Sequence, residues 1–179
     1  MLLKEENIKE YLESVIRTIP DFPKPGIQFK DITTLLSDKK ALKLTTKALS
    51  EPYKDLKCDI VVGLESRGFL FGTNMAEILN AAFVPVRKPG KLPSETISES
   101  YELEYGTDSV EMHKDAIKKG DKVIIHDDLI ATGGTALAAA KLVKKLGGEI
   151  IGYSFIIELS FLNGRDKLNH DRIESILIM

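Results

Sequence analysis

The chain has 179 residues, 43% hydrophobic and 29% charged, with 25 Lys and Arg against 27 Asp and Glu. That length and composition suit one soluble globular domain with a real core, and a net charge of −2 leaves no electrostatic footprint for nucleic acid or an anionic membrane. A single cysteine, Cys58, excludes an internal disulfide and fits a reducing compartment. The charged start (Lys4, Glu5, Glu6) lacks the apolar region of a secretory signal, and no apolar run approaches membrane-spanning length, so the cytoplasm is the expected location.

Ile8, Tyr11, Leu12, Val15, Ile16 and Ile19 recur at three- and four-residue steps and predict an amphipathic helix that Pro20 ends. Pro20, Pro23, Pro25 and Gly26 exclude regular structure over 20–26, and residues 27–32 are short and mixed. Ser37 or Asp38 can cap a helix carrying Leu42 and Leu49 on one face. Residues 59–64 predict a buried strand that runs into Glu65, Ser66, Arg67 and Gly68, then a helix over 69–79. Residues 83–86 predict a third strand, whose Pro85 suits a sheet edge. A basic, breaker-rich loop follows, with Arg87, Lys88 and Lys91. Tyr101, Leu103 and Tyr105 alternate with Glu102 and Glu104, a strand with one apolar and one acidic face, and residues 106–108 turn the chain back.

The most informative run is 122–135. Val123 to Ile125 predict a strand buried on both faces, with Asp127 and Asp128 at its end. Ala131, Thr132, Gly133, Gly134 and Thr135 then lead into a helix over 136–146, which Gly147 and Gly148 close. A further strand covers 150–159. Beyond Ser160 the pattern is weak, with only a possible last strand over 175–179. Strands alternating with helices argue for a parallel α/β sheet, in which ligands bind beyond the carboxyl ends of strands. Residues 65–68 and 127–135 both stand at such ends.

Unpaired N–H groups and the dipole at a helix start favour an anion; the glycines allow close backbone approach, and Thr132 and Thr135 add hydroxyl donors. Adjacent carboxylates suit a ligand with vicinal hydroxyls, since each accepts hydrogen bonds. The loop is neither a Walker P-loop nor a dinucleotide-binding turn. The competing reading is an ordinary strand–loop–helix turn whose acids only cap the helix. Arg67, Arg87, Lys88 and Lys91 are the cations available to a phosphorylated ligand, or else solvated surface charges. His126 reads as a hydrogen-bonded core histidine.

Apolar strand, Asp-Asp, two apolar residues, Ala-Thr-Gly-Gly-Thr: residues 122–135 resemble the phosphoribosyl-diphosphate-binding signature of the type I phosphoribosyltransferases, with His126 where an apolar residue is more usual. Residues 21–31, 63–72, 84–93 and 101–106 resemble the adenine-using members of that family, in order and with short gaps from Ile8 to Ile157. The resemblance implies an α/β fold with a central, mostly parallel twisted sheet flanked by helices, forming one domain over 1–179 with a small N-terminal base-binding hood over 1–36. It implies transfer of adenine to 5-phospho-α-D-ribose 1-diphosphate, giving AMP and diphosphate. Mg2+ would be held mainly through the sugar diphosphate rather than by a protein metal site. A homodimer is implied too, with no nucleic-acid or membrane partner.

Carried over position by position, Glu65, Ser66 and Arg67 fall on the diphosphate loop, with a non-proline cis peptide expected at Glu65–Ser66. Arg87, Lys88 and Lys91 fall on the remaining diphosphate contacts, and Asp127 and Asp128 on the ribose-hydroxyl pair. Ala131, Thr132, Gly133, Gly134 and Thr135 fall on the 5-phosphate loop. Ile27, Gln28, Phe29 and Lys30 fall on the adenine contacts, Lys30 standing where the family usually has Arg. Arg67 would neutralise the leaving diphosphate, and Glu104 would manage the proton at N7 of the base from a loop that closes over the site. Alternation alone puts Glu104 on a solvated face, and Phe29 alone reads as core. Two other readings remain open: a regulatory protein that senses the sugar diphosphate, and a sibling enzyme for another base. If the carry-over is right, Glu104→Ala loses most of kcat while Glu102→Ala does not; steady-state rates that are equal in the two variants discard the assignment.

Overall fold

A computed structural model describes residues 5–102 and 106–179, which divide into two compact units, Met1–Ala48 and Leu49–Met179. The first unit holds α1 (Glu5–Val15), β1 (Arg17–Pro20), β2 (Gln28–Asp31) and α2 (Thr33–Ser37), and α3 (Lys39–Ser50) begins in it. The amphipathic spacing runs on to Ile19, but the helix stops at Val15. Pro20 pushes the residue before it out of the helical region, and Arg17–Pro20 instead pair antiparallel with β2, Arg17 opposite Asp31 and Pro20 opposite Gln28. Arg17 fixes that register by donating from Nε and Nη2 to Asp31 Oδ2 at 3.1 and 2.6 Å. The other Asp31 oxygen accepts from the backbone N–H and hydroxyl of Thr33 at 2.9 and 2.6 Å. Those bonds from Thr33 and Arg17 hold the Asp31 carboxyl at about 2. Of the two candidate caps, Asp38 is the one used: its Oδ1 accepts from the N–H groups of Lys40 and Ala41, both at 2.8 Å.

The second unit is a parallel sheet with helices, as the alternation of elements implied. Its elements are β3 (Ile60–Leu64), α4 (Gly68–Ile78), β4 (Ala82–Val86), β5 (Thr96–Glu102), β6 (Thr107–His113), β7 (Lys122–Ile130), α5 (Gly134–Lys145), β8 (Glu149–Glu158), α6 (Gly164–Leu168) and β9 (Ile173–Ile178). Five strands lie in the order β4-β3-β7-β8-β9, every neighbouring pair parallel. All of β3 is buried. Pro85 does stand in an edge strand, where its missing N–H costs no ladder bond. Val62, Leu64, Ile125, Leu142 and Phe155 belong to one continuous core, and Ala138, Ala139 and Ala140 let α5 lie close to the sheet. β5 and β6 form a separate antiparallel hairpin, with Glu102 opposite Thr107.

β7 is longer than its apolar run. Pairing with β8 continues through Asp127 (opposite Phe155) and Leu129 (opposite Ile157) to Ile130 (opposite Glu158), so the two aspartates lie inside the strand rather than at its end. The pleat then sends them to opposite faces: Asp127 and Leu129 keep some exposure, while Asp128 and Ile130 are buried.

His126 is fully buried in this strand, and its Nδ1 donates to the carbonyl of Ser154, its register partner, at 2.9 Å. Nε2 has no hydrogen-bond partner among the described residues, so a second proton would be buried unpaired, and burial pulls the imidazole down to about 4. The unfolded chain binds this proton at 6.5 and the folded chain does not until about 4. Stability from the neutral ring is therefore full above 6.5 and is lost as pH falls toward 4, by about 3 kcal/mol. Denaturant titration at a series of pH values should show that loss in the wild type and a shallower one in His126→Gln.

Candidate active site

β7 ends at Ile130, and residues 131–133 carry the chain into α5. Gly133 is the N-cap residue, with φ +76° in the left-handed region that favours glycine, and no side chain caps this helix. The first N–H groups of α5 are therefore left for a ligand. They face a small open cleft of about 100 Å³ lined by Asp127, Leu129, residues 130–136 and Phe155. The sequence-predicted phosphate corner, Ala131, Thr132, Gly133, Gly134 and Thr135, is thus one wall of this cleft, and Asp127 is another.

Residues 65–67, the sequence-predicted diphosphate loop, arrive at the same strand. β3 ends at Leu64, the Glu65–Ser66 peptide is cis as expected, and α4 starts at Gly68. A Cβ on Gly68 would stand 2.9 Å from the carbonyl oxygen of His126 and 3.0 Å from Asp127 Oδ1, so only glycine brings this helix start so close to β7. Arg67 places Nε 3.0 Å from Asp128 Oδ2, an ion pair without hydrogen-bond alignment. The backbone N–H of Asp128 donates to Asp127 Oδ1 at 2.9 Å. Burial and the neighbouring Asp128 charge push the Asp127 carboxyl well up, and burial pushes Asp128 up against the opposing pull of Arg67.

Arg87, Lys88 and Lys91 follow β4, and acids hold the first two in place: Glu65, which sequence reading did single out, and Asp108 and Glu111, which it did not. Arg87 Nη2 donates to Glu65 Oε1 at 2.8 Å, Lys88 N donates to Glu65 Oε2 at 2.6 Å, and Arg87 Nη1 donates to Lys91 O at 3.2 Å. The Glu65 carboxylate is therefore committed to shaping the 87–91 loop. Glu111 of β6 exchanges two backbone bonds with Arg87, at 2.9 and 2.7 Å, and takes the N–H of Gly90 on Oε2 at 3.1 Å. Lys88 Nζ is paired with Asp108 and donates to the Tyr101 hydroxyl at 2.9 Å. Asp108 and Glu111 lie some twenty residues along the chain from these partners, and no local pattern marks them.

Ile27, Gln28, Phe29 and Lys30 lie in the first unit, on and just before β2. Phe29 packs edge-on against Phe22, ring centroids 5.1 Å apart, and Lys30 Nζ donates to Thr18 Oγ1 at 3.0 Å. Glu104, with Leu103 and Tyr105, lies outside the described residues. Among the described residues, no group of three or more His, Cys, Asp and Glu could hold a metal, and no helix is long and apolar enough to cross a membrane.

The family model described as "Phosphoribosyl transferase domain" matches residues 31–174. Adenine phosphoribosyltransferase of Alkaliphilus metalliredigens is 58% identical over 166 residues, 93% of this chain and 98% of that protein. The chain belongs to the adenine phosphoribosyltransferases. The crystal structure of adenine phosphoribosyltransferase from Rhodothermus marinus superposes with a TM-score of 0.93 at 54% identity, covering 97% of this chain and 99% of that one. The Saccharomyces cerevisiae adenine phosphoribosyltransferase, solved with an imino-altritol bisphosphate and adenine, superposes with a TM-score of 0.91 at 43% identity over 96% of this chain and 99% of that one. In this chain a parallel sheet flanked by helices carries residues 65–67, the paired aspartates and residues 131–135.

Proposed function

We infer that this site runs its family's purine-salvage reaction: adenine displaces the diphosphate of 5-phospho-α-D-ribose 1-diphosphate to give AMP and diphosphate. The observation that carries the reading is the cleft in which Asp127 faces the uncapped N-terminus of α5. One side of it accepts hydroxyl protons and the other receives an anion, which is what a phosphorylated pentose presents.

In this reading the 5-phosphate sits on the N–H groups and hydroxyls of residues 131–135, and Asp127 and Asp128 accept from the ribose hydroxyls. Arg67, Arg87, Lys88 and Lys91, with the backbone of Glu65 and Ser66, take the diphosphate. The C1–O bond breaks with its electron pair leaving on diphosphate, and N9 of adenine supplies the pair for the new C1–N bond while the base sheds one proton. Positive charge develops at C1 as the bond breaks. The acids beside the ribose favour that charge, and the four cations favour the charge growing on the leaving group. The Asp127 and Asp128 oxygens fit a hydrated divalent ion that takes most of its ligands from the substrate. When bound, Mg2+ supplies further neutralisation of the diphosphate.

Glu104 holds or donates the proton at N7 of the base. Phe29 offers its ring face to the purine, and the backbone carbonyls of 27–30 accept from the 6-amino group. A 6-oxo base would set acceptor against acceptor. The tie from Lys30 to Thr18 supports a structural role for this side chain, with base reading left to the backbone. The N-terminal residues 1–36 form the base-binding hood of a single functional domain. The protein acts in the cytoplasm, where a lone cysteine stays a thiol; burial pushes Cys58 up to about 11. Two copies pair, and Leu70 and Ile78, both exposed on α4, suit an interface. Supplying the sugar diphosphate and Mg2+ with each purine in turn tests the reading: adenine alone should be consumed quickly, with AMP formed. Preference for a 6-oxo purine, or no turnover with any base, overturns it.

A further inference from the structure

The segment between β8 and β9 has no assigned part in the reaction, yet it touches the phosphate corner backbone to backbone. A Cβ on Gly164, the first residue of α6, would overlap the carbonyl oxygen of Ala131 and stand 2.8 Å from the N of Gly133. The contact is reciprocal: a Cβ on Gly133 would overlap the carbonyl oxygen of Gly164 and lie 3.1 and 3.2 Å from its C and Cα. Gly164 is buried but does not line the cleft, so it supports the corner without meeting the ligand.

A second set of contacts fixes where Gly164 stands. Arg165 makes a two-pronged pair with buried Glu158, Nε to Oε1 at 2.9 Å and Nη2 to Oε2 at 2.6 Å, and Nη1 donates to the carbonyl of Ile173 at 2.7 Å. Ser175 Oγ donates to the same Glu158 oxygen at 2.7 Å. This fork ties α6 to the ends of β8 and β9, while Leu168 anchors its far end in the core. The N–H of Leu159 donates to the carbonyl of Ile130 at 3.0 Å, one residue before the corner begins.

We propose that Gly164 and Arg165 are positioning residues for the phosphate corner: the fork sets the height of α6, and the side-chain-free contact of Gly164 with Ala131 and Gly133 sets where the loop N–H groups point. The inference rests on reading residues 131–135 as the 5-phosphate site. A planar guanidinium is needed because a lysine cannot span both Glu158 oxygens and the Ile173 carbonyl at once.

Ribose 5-phosphate reports on the corner, and inorganic diphosphate with Mg2+ reports on the separate loop at 65–67. Calorimetric titration of both ligands into wild type, Gly164→Ala, Arg165→Lys and Thr135→Val separates the possibilities. Gly164→Ala should weaken ribose 5-phosphate tenfold or more, and Arg165→Lys several-fold, with diphosphate affinity within twofold of wild type in both. Wild-type ribose 5-phosphate affinity in Gly164→Ala refutes the proposal, and a tenfold or greater loss in Thr135→Val would then show that the phosphate reading itself still stands. No loss in Thr135→Val either would overturn that reading as well. Equal weakening of both ligands means general damage, and likewise refutes positioning. Should Gly164→Ala fail to fold, Arg165→Lys decides alone, and wild-type affinities in it refute the proposal.

Discussion

Asp127 and Asp128 are neighbours in a central strand, and the rest of the site answers the charge they bring there. Two unit charges 4 Å apart repel by about 4 kcal/mol at the effective dielectric of a protein's outer layers. A helix N-terminus returns only about 0.3–1 kcal/mol of that. A full positive charge returns far more, and Arg67 supplies one at 3.0 Å from Asp128. Gly68 is the enabling residue, because any side chain there would strike the His126 carbonyl or Asp127 and hold α4, with Arg67, away from the strand. The electrostatic need of one acidic pair thus explains a glycine, an arginine and the approach of a helix on a different strand–loop–helix unit.

The same logic extends to the cations around the site. Arg67 rests on Asp128, Arg87 on Glu65, and Lys88 on Asp108. In the proposed function, diphosphate would exchange one set of anions for another and meet cations already oriented by their acids, which lowers the ordering cost of binding. The third pair also joins the site to the hairpin. Asp108 and Tyr101 belong to β6 and β5, and Tyr101 packs where a side chain on Gly134 would meet its ring at 3.1 Å. Glu99 on β5 reaches Lys141 and Lys145 of α5 at 3.1 and 2.5 Å. The hairpin that leads into residues 103–105 is thereby fastened to the helix whose N-terminus faces the cleft.

Continuous apolar runs made β3, β7 and β8 legible in the sequence, since strands buried on both faces need no alternation, and Pro85 located the sheet edge. β6 was not legible: Val110 and Met112 are its buried residues, set among Thr, Asp, Ser and Glu. β1 was hidden because Ile19 continues the helical spacing of α1 past the point where Pro20 turns the backbone extended. Residues 65–68 and 131–135 could be read as compact motifs at strand ends. Asp108, Glu111 and Gly164 could not, because each acts through a partner at least twenty residues away and none carries a local signature.

The central claim is that the corner after the paired aspartates grips the 5-phosphate of an activated pentose. The most direct test is a crystal structure with 5-phospho-α-D-ribose 1-diphosphate and Mg2+ bound. The account requires the 5-phosphate within hydrogen-bond distance of the N–H groups of residues 132–135, and the ribose hydroxyls on Asp127 and Asp128. A phosphate seated elsewhere, with that corner closed onto its own core, contradicts it.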